Sequence, residues 1–165
     1  MTVLIAGAGI GGLSLALSLH QVGLRCRVYE SVSRLEPLGV GINLQPHAVR
    51  ELFALGLENA LDTIGLRTAE VAYLSTHGKL IWAEPRGLHA GYRWPQFSIH
   101  RGRLQMLLYE QVRERLGPHA VQLGAAVGEC SERGDGVRVE IVEGDARSHA
   151  EGTVLVAADG IHSRT

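Results

Sequence analysis

VLIAGAGIGGLSLALSLHQVG, residues 3–23, decides the architecture. Val3 to Ala6 is a short, wholly apolar run that ends on glycine, the pattern of a strand buried in a parallel sheet. From Gly12 to Val22 the period changes to a helical one. Ser14, Ser18 and Gln21 fall on one face, Leu and Ala on the rest, and Gly23 closes the helix. Arg25 to Glu30 then reads as a second strand, which makes the whole a right-handed βαβ unit.

Gly7, Gly9 and Gly12 match GxGxxG, with Ala8, Ile10 and Gly11 between them. The motif is weak alone, but here it follows a strand and opens a helix. Gly7 permits the tight turn and Gly12 lets helix and strand approach. A side chain at Gly9 would keep a pyrophosphate from the backbone N–H groups and the positive end of the helix dipole. Glu30 lies 23 residues beyond Gly7, where a carboxylate can accept hydrogen bonds from an adenosine ribose. It would repel a 2′-phosphate, so the resident dinucleotide is expected to be FAD or NAD rather than NADP. A solvated strand-end charge is the alternative.

Working outward, Leu38–Asn43 reads as a Gly-rich loop. Pro46 starts a helix carrying Val49, Leu52 and Phe53 inward, and Glu58–Ile64 adds a short one. Residues 69–75 and 79–83 flank Thr76-His77-Gly78 as a hairpin. Gln96–His100 follows as a strand, and Leu104, Leu107, Leu108, Val112 and Leu116 mark an amphipathic helix stopped by Gly117-Pro118. Val121–Leu123 reads as another parallel strand. An antiparallel meander is expected around Val127, Gly134-Asp135-Gly136, Val137–Val142 and Gly144-Asp145, before the apolar strand Thr153–Ala157. The chain then stops just past Asp159-Gly160, without the helix that should cover that strand, so it reads as an N-terminal fragment.

Composition excludes several function classes. Apolar residues make up 45% of the 165, which is not a disordered composition, and the net charge of −1 supplies no basic field for nucleic acid or anionic lipid. No apolar run reaches the length of a membrane span. Cys26 and Cys130 show neither CxxC nor metal spacing, which also removes a flavin disulfide reductase. They suit a cytoplasmic protein. No HExxH, GxSxG or P-loop pattern is present, and no metal site is expected.

Residues 7–23, Glu30, LGVGINLQPHAVREL (38–52), IHRGRL (99–104) and AADGIHSR (157–164) together resemble the class A flavoprotein monooxygenases. These are single-component aromatic hydroxylases such as salicylate and para-hydroxybenzoate hydroxylase. WAEPRGLHAGYRWPQFSIHRG (82–102) is similar to the phenazine-modifying subgroup. The resemblance implies an α/β, Rossmann-like FAD-binding domain of the glutathione-reductase type, with a three-stranded antiparallel meander and the beginning of an inserted substrate-domain sheet. Residues 1–68 and 101–165 would belong to the FAD-binding domain and 69–100 to the substrate domain. It implies FAD bound by Gly7, Gly9, Ile10, Gly11, Gly12, Glu30, Arg34, Gly41, Arg101, Asp159 and Gly160, with NADH or NADPH as transient electron donor and no separate nicotinamide domain.

The implied activity is hydroxylation or oxidative decarboxylation of a flat aromatic acid with oxygen, through a flavin C4a-hydroperoxide. Nucleic acid and membrane are not implied partners, and the protein would be a monomer or homodimer. His47 stands where many relatives carry Asn, and Ala157 where the common pattern has Gly, so exact substrate transfer does not follow. The catalytic residues are not identified. From the residues alone, Arg101 at a helix start needs an anion, which a phosphate or a carboxylate of this protein would supply equally. Arg34 could equally be solvated, and Asp159 could serve as a helix N-cap or in an Asx turn with Gly160. A flavin oxidase or dehydrogenase, or an inactive nucleotide-binding piece, are the other readings.

Overall fold

The structure is a computed structural model that describes residues 1–163. The chain forms two compact units, Met1–Pro37 with Gln105–Thr165, and Leu38–Leu104. In the first unit β1 (Thr2–Ala6) leads through a glycine turn into α1 (Ile10–Gln21) and then β2 (Arg25–Glu30). The helix begins at Ile10, two residues before the expected start. Gly11 and Gly12 thus lie within its first turn, where backbone freedom costs little against the packing gained.

The second unit opens with β3 (Gly41–Leu44), α2 (Pro46–Ala54), α3 (Glu58–Ile64), β4 (Gly65–Thr68), β5 (Glu70–Leu74) and β6 (Leu80–Pro85). A 3-10 turn, Gly87–Ala90, leads into β7 (Gln96–His100) and the start of α4 (Arg101–Leu116). Two of these strands correct the sequence reading. Residues 41–44 are a strand rather than part of a loop, and Gly65–Thr68 was not anticipated. Both pair antiparallel with β7, one on each side, and that remote partner supplies the hydrogen bonds. The expected hairpin is present as β5–β6, with the Tyr73 and Trp82 rings 5.7 Å apart on directly opposed residues.

Strand β7 buries Phe97 and Ile99 completely. Phe53 of α2 meets Phe97 edge-on at 6.4 Å. Arg67 of β4 lies over both rings at 5.6 and 5.9 Å and bonds Asp62 and Glu58 of α3 at 2.7 and 2.9 Å. The hydrogen bond from Arg67 holds the Asp62 carboxyl below the ordinary carboxylate range. This one guanidinium ties helix, strand and aromatic pair together, although its exposure limits each ion pair to about 1 kcal/mol or less.

The chain returns to the first unit along α4, whose Leu104, Leu108 and Val112 form a buried i, i+4, i+8 stripe. Then follow β8 (Val121–Leu123), the meander β9 (Ala126–Arg133), β10 (Gly136–Glu143) and β11 (Ala146–Gly152), and β12 (Val154–Ala157). The parallel sheet has the order β12-β1-β2-β8, and the meander the order β11-β10-β9. Alternation along β1 explains the layering. Ile5 faces α1 at Gly12, whereas Leu4 joins Tyr29, Ala125, Val139 and Ile141 in the cluster beneath the meander. The result is an α/β Rossmann-like fold with parallel and antiparallel sheets. No helix among the described residues is long and apolar enough to cross a membrane.

Candidate functional site

The carboxyl ends of β1, β2 and β12 converge, as ligand sites in open parallel sheets do. Gly7 leaves β1 at φ +97°, and its N–H donates to Tyr29 O at 2.7 Å. A Cβ there would stand 2.5 Å from Ala158 O, where β12 exits. A Cβ on Gly12 would overlap the Gly7 carbonyl oxygen and stand 3.2 Å from its carbon. Both glycines are therefore required by backbone contact.

Gly9 and Gly11 are different, because a Cβ at either meets nothing within 4 Å. Helix α1 has no side-chain cap and no acidic residue in its first turn. The N–H groups of Gly9, Ile10, Gly11 and Gly12 make no backbone bond among the described residues. This is an open cradle of donors at an uncompensated positive helix end, and its chemistry fits a pyrophosphate.

Glu30 is turned toward this cradle. Its Oε2 accepts the Ala8 N–H at 2.7 Å, and Oε1 accepts the Val32 N–H at 3.0 Å and the Ser31 hydroxyl at 3.1 Å. It is not the solvated charge of the alternative reading. Gln105 of α4 donates from Nε2 to Ala8 O at 2.9 Å, fixing the turn from the other side. Sequence reasoning missed Gln105, whose only signal is a polar residue beside the buried Leu104.

Gly7, Glu30 and Asp159 line one cavity of about 800 Å³. Asp159 occupies the N-cap position of the 3-10 turn Gly160–His162 without a side-chain cap bond, and Gly160 has φ +83°. The capping role is thus not realised. The meander supplies the opposite wall through Val127, Gly128, Glu140 and Arg147. At Val139/Ile141 the β9–β10 register shifts, so that Gly128 and Glu129 together oppose Glu140. A Cβ on Gly128 would stand 2.5 Å from Glu140 Oε2, so glycine makes room for that carboxylate. Arg147 Nη1 donates to Glu140 Oε1 at 2.8 Å and holds its carboxyl below the ordinary range. Gly128, Glu140 and Arg147 carried no sequence signal, because only the meander register brings them together. A smaller groove of about 390 Å³, lined by Thr2, Arg27, Gln122 and His149, contains none of the motif residues.

The remaining expected residues lie elsewhere. Arg34 is 83% exposed, its Nε 3.9 Å from Glu36, and it does not line the cavity. Arg101 and Gly41 belong to the second unit. The Arg101 N–H donates to Val40 O at 3.0 Å, and its side chain runs past Gly39, whose Cβ would stand 3.5 Å from Arg101 Cβ. No carboxylate pairs with Arg101 among the described residues, so the structural ion pair is not formed. Gly41 opposes His100, with open space at its Cβ position.

Replacing Glu30 with glutamine is expected to weaken FAD binding by roughly 5- to 30-fold, because the charge-assisted acceptor is lost. It should also lower stability by about 1 kcal/mol, since one amide oxygen cannot serve all three present donors. Titration of apoprotein with FAD, beside a thermal melt, measures both. Unchanged FAD affinity would remove Glu30 from the site.

A phenazine 1,6-dicarboxylic acid hydroxylase of Lysobacter antibioticus is 50% identical over 165 residues, covering 98% of this chain and 40% of that protein. The structure of HpxO from Klebsiella pneumoniae, complexed with FAD and uric acid, aligns with a TM-score of 0.77 at 32% identity, over 97% of this chain and 39% of that one. p-Nitrophenol 4-monooxygenase from Pseudomonas putida has the same fold, with a TM-score of 0.88 at 22% identity over 99% of this chain and 42% of that one. The chain thus spans about two fifths of the length of the relatives it matches. The model of the FAD binding domain family matches residues 1–165 throughout, and the chain belongs to that family.

Proposed function

We propose that this chain forms the FAD-holding part of a monooxygenase acting on a flat aromatic acid, with phenazine carboxylates as the substrate class. The observation that carries the reading is the open donor cradle of Gly9–Gly12 beside Glu30, in a chain half identical to a phenazine dicarboxylate hydroxylase. The β-meander on the parallel sheet supports a domain of the glutathione-reductase type. The backbone N–H groups of residues 9–12 hold the pyrophosphate, and Glu30 accepts the ribose hydroxyls. Asp159 lines the same cavity, with Gly160 next to it in the chain, and the family resemblance assigns Arg34, Gly41 and Arg101 to the same cofactor. Bound flavin supplies the chemistry, namely electron transfer from NADH or NADPH to oxygen. The protein's own residues orient the reactants and exclude water.

The balance is aromatic acid, oxygen, NAD(P)H and a proton giving hydroxylated product, water and NAD(P)⁺. Where carboxyl is replaced by hydroxyl, carbon dioxide also leaves. With the full-length protein, NADH and NADPH oxidation, oxygen uptake and product mass should be followed together under ¹⁸O₂. One heavy oxygen atom in the aromatic product is expected. Nicotinamide oxidation that persists without oxygen would overturn the monooxygenase reading.

A further inference from the structure

The turn that opens α1 is held at one residue from two sides. Ala8, buried between Gly7 and Gly9, donates its N–H to Glu30 Oε2 at 2.7 Å, and its carbonyl oxygen accepts from Gln105 Nε2 at 2.9 Å. Gln105 and Ala8 lie in the same compact unit although 97 positions separate them. Gln105 follows Leu104 at the edge of the buried Leu104, Leu108 and Val112 stripe, so a well-anchored helix delivers the amide. No other donor among the described residues reaches the Ala8 oxygen.

Peptide geometry says what that contact does. The Ala8 carbonyl and the Gly9 N–H belong to one trans peptide plane and point in opposite directions. Holding the oxygen therefore aims the Gly9 N–H away from Gln105. That N–H makes no backbone bond among the described residues, and the space at Gly9 is open, since a Cβ there meets nothing within 4 Å. The other donors of the cradle are aimed by the helix itself. Gly9 O accepts the Leu13 N–H at 3.0 Å, which fixes the plane carrying the Ile10 N–H, and Gly11 and Gly12 lie inside α1. Gly9 is the N-cap, so no bond of the helix ladder reaches the peptide before it. A side chain has to set that plane, and Gln105 is the one that does.

We infer, on the reading of residues 9–12 as the pyrophosphate cradle, that Gln105 is a positioning residue for the cofactor: through Ala8 O it presents the Gly9 N–H to the pyrophosphate. A donor that is already aimed needs no reorganisation when the anion arrives. Without the amide of Gln105, the oxygen of a buried residue loses its partner. The peptide then regains one by turning, which carries the Gly9 N–H off the phosphate.

The test uses the full-length protein loaded with FAD and diluted in series, with free FAD read by its fluorescence to give a Kd. Gln105→Met keeps the length and the helical preference of the side chain and removes the donor. It is expected to raise the Kd by roughly 5- to 30-fold. Gln105→Lys puts a donor back on a side chain of similar reach and should recover most of that loss. In a Gly9→Ala background, where the phosphate is already kept from this N–H, Gln105→Met should add less than about threefold. A glutamine that served the fold alone would be neither rescued by a donor nor silenced in that background. Gln105→Asn carries the same amide on a side chain too short for Ala8 O; it is expected to match Gln105→Met and is read in its place if the methionine variant does not fold.

A wild-type Kd in folded Gln105→Met, no recovery with lysine, or losses that multiply in the double variant would each overturn the inference while leaving FAD at the cradle. If Gly9→Ala itself holds FAD as tightly as wild type, the pyrophosphate lies elsewhere, and the cradle reading falls together with the inference.

Discussion

Alanine at Gly12 is expected to destroy both the fold of the first unit and FAD binding, while alanine at Gly9 destroys only the second. At Gly12 the added Cβ overlaps the Gly7 carbonyl oxygen and stands 3.3 Å from Ile5 Cγ2. The first obstacle is backbone, so no rotamer relieves it. Helix α1 would have to lift from β1, disturbing the buried Leu13, Ala16 and Leu17. A cost of about 3–5 kcal/mol follows, near the top of the range for single substitutions. At Gly9 the backbone has φ −73°, which any residue adopts, and a Cβ meets nothing within 4 Å. The fold should therefore lose about 1 kcal/mol or less, the difference between glycine and alanine at an N-cap. The methyl group nonetheless projects where a phosphate must approach the N–H groups, and FAD affinity should fall by at least roughly tenfold. Thermal denaturation of the apoprotein and fluorescence titration with FAD separate the two effects. Wild-type FAD affinity in Gly9→Ala would move the pyrophosphate away from this turn.

The same contrast explains what could be read from the sequence. Gly12 and Glu30 act through neighbours in or next to the first βαβ unit, and Gly7 takes its positive φ in the same turn, so a local pattern carries their meaning, although the contact that excludes a side chain at Gly7 comes from Ala158. The helices α2 and α4 and the hairpin were legible for the same reason, since period and turn residues lie within each element. Strand β3 was not, because four residues containing a glycine resemble a loop until β7, more than fifty positions later, pairs with them. Strand β4 depends on the same partner. In the site, Gln105 reaches Ala8 across 97 positions, and the Gly128–Glu140–Arg147 group depends on a bulge that no residue type announces. Arg34 shows the converse: a motif position named its type, but the chain around it leaves the side chain in solvent.

Ile141→Ala should invert the behaviour of Gly9→Ala, costing stability and sparing the cofactor. Ile141 is 2% exposed at the centre of β10, packed with Leu4, Tyr29, Ala125 and Val139. Removing its outer carbons forfeits their burial and leaves a void that strands paired on both sides cannot close, so about 2–5 kcal/mol is expected to be lost. For a domain of this size the melting temperature should fall by roughly 5–15 °C. Its chain neighbours Glu140 and Val142 line the cavity beside Glu30, but alternation along the strand sends the Ile141 side chain to the opposite face. At a temperature where the variant is fully folded, FAD affinity should therefore stay within about threefold of wild type. Saturating FAD should raise the melting temperature of variant and wild type by similar amounts, because a ligand that binds only the folded state stabilises it through affinity and concentration alone. A variant that melts normally yet loses FAD would show that the meander wall adjusts to the cofactor instead of standing as a rigid support beneath it.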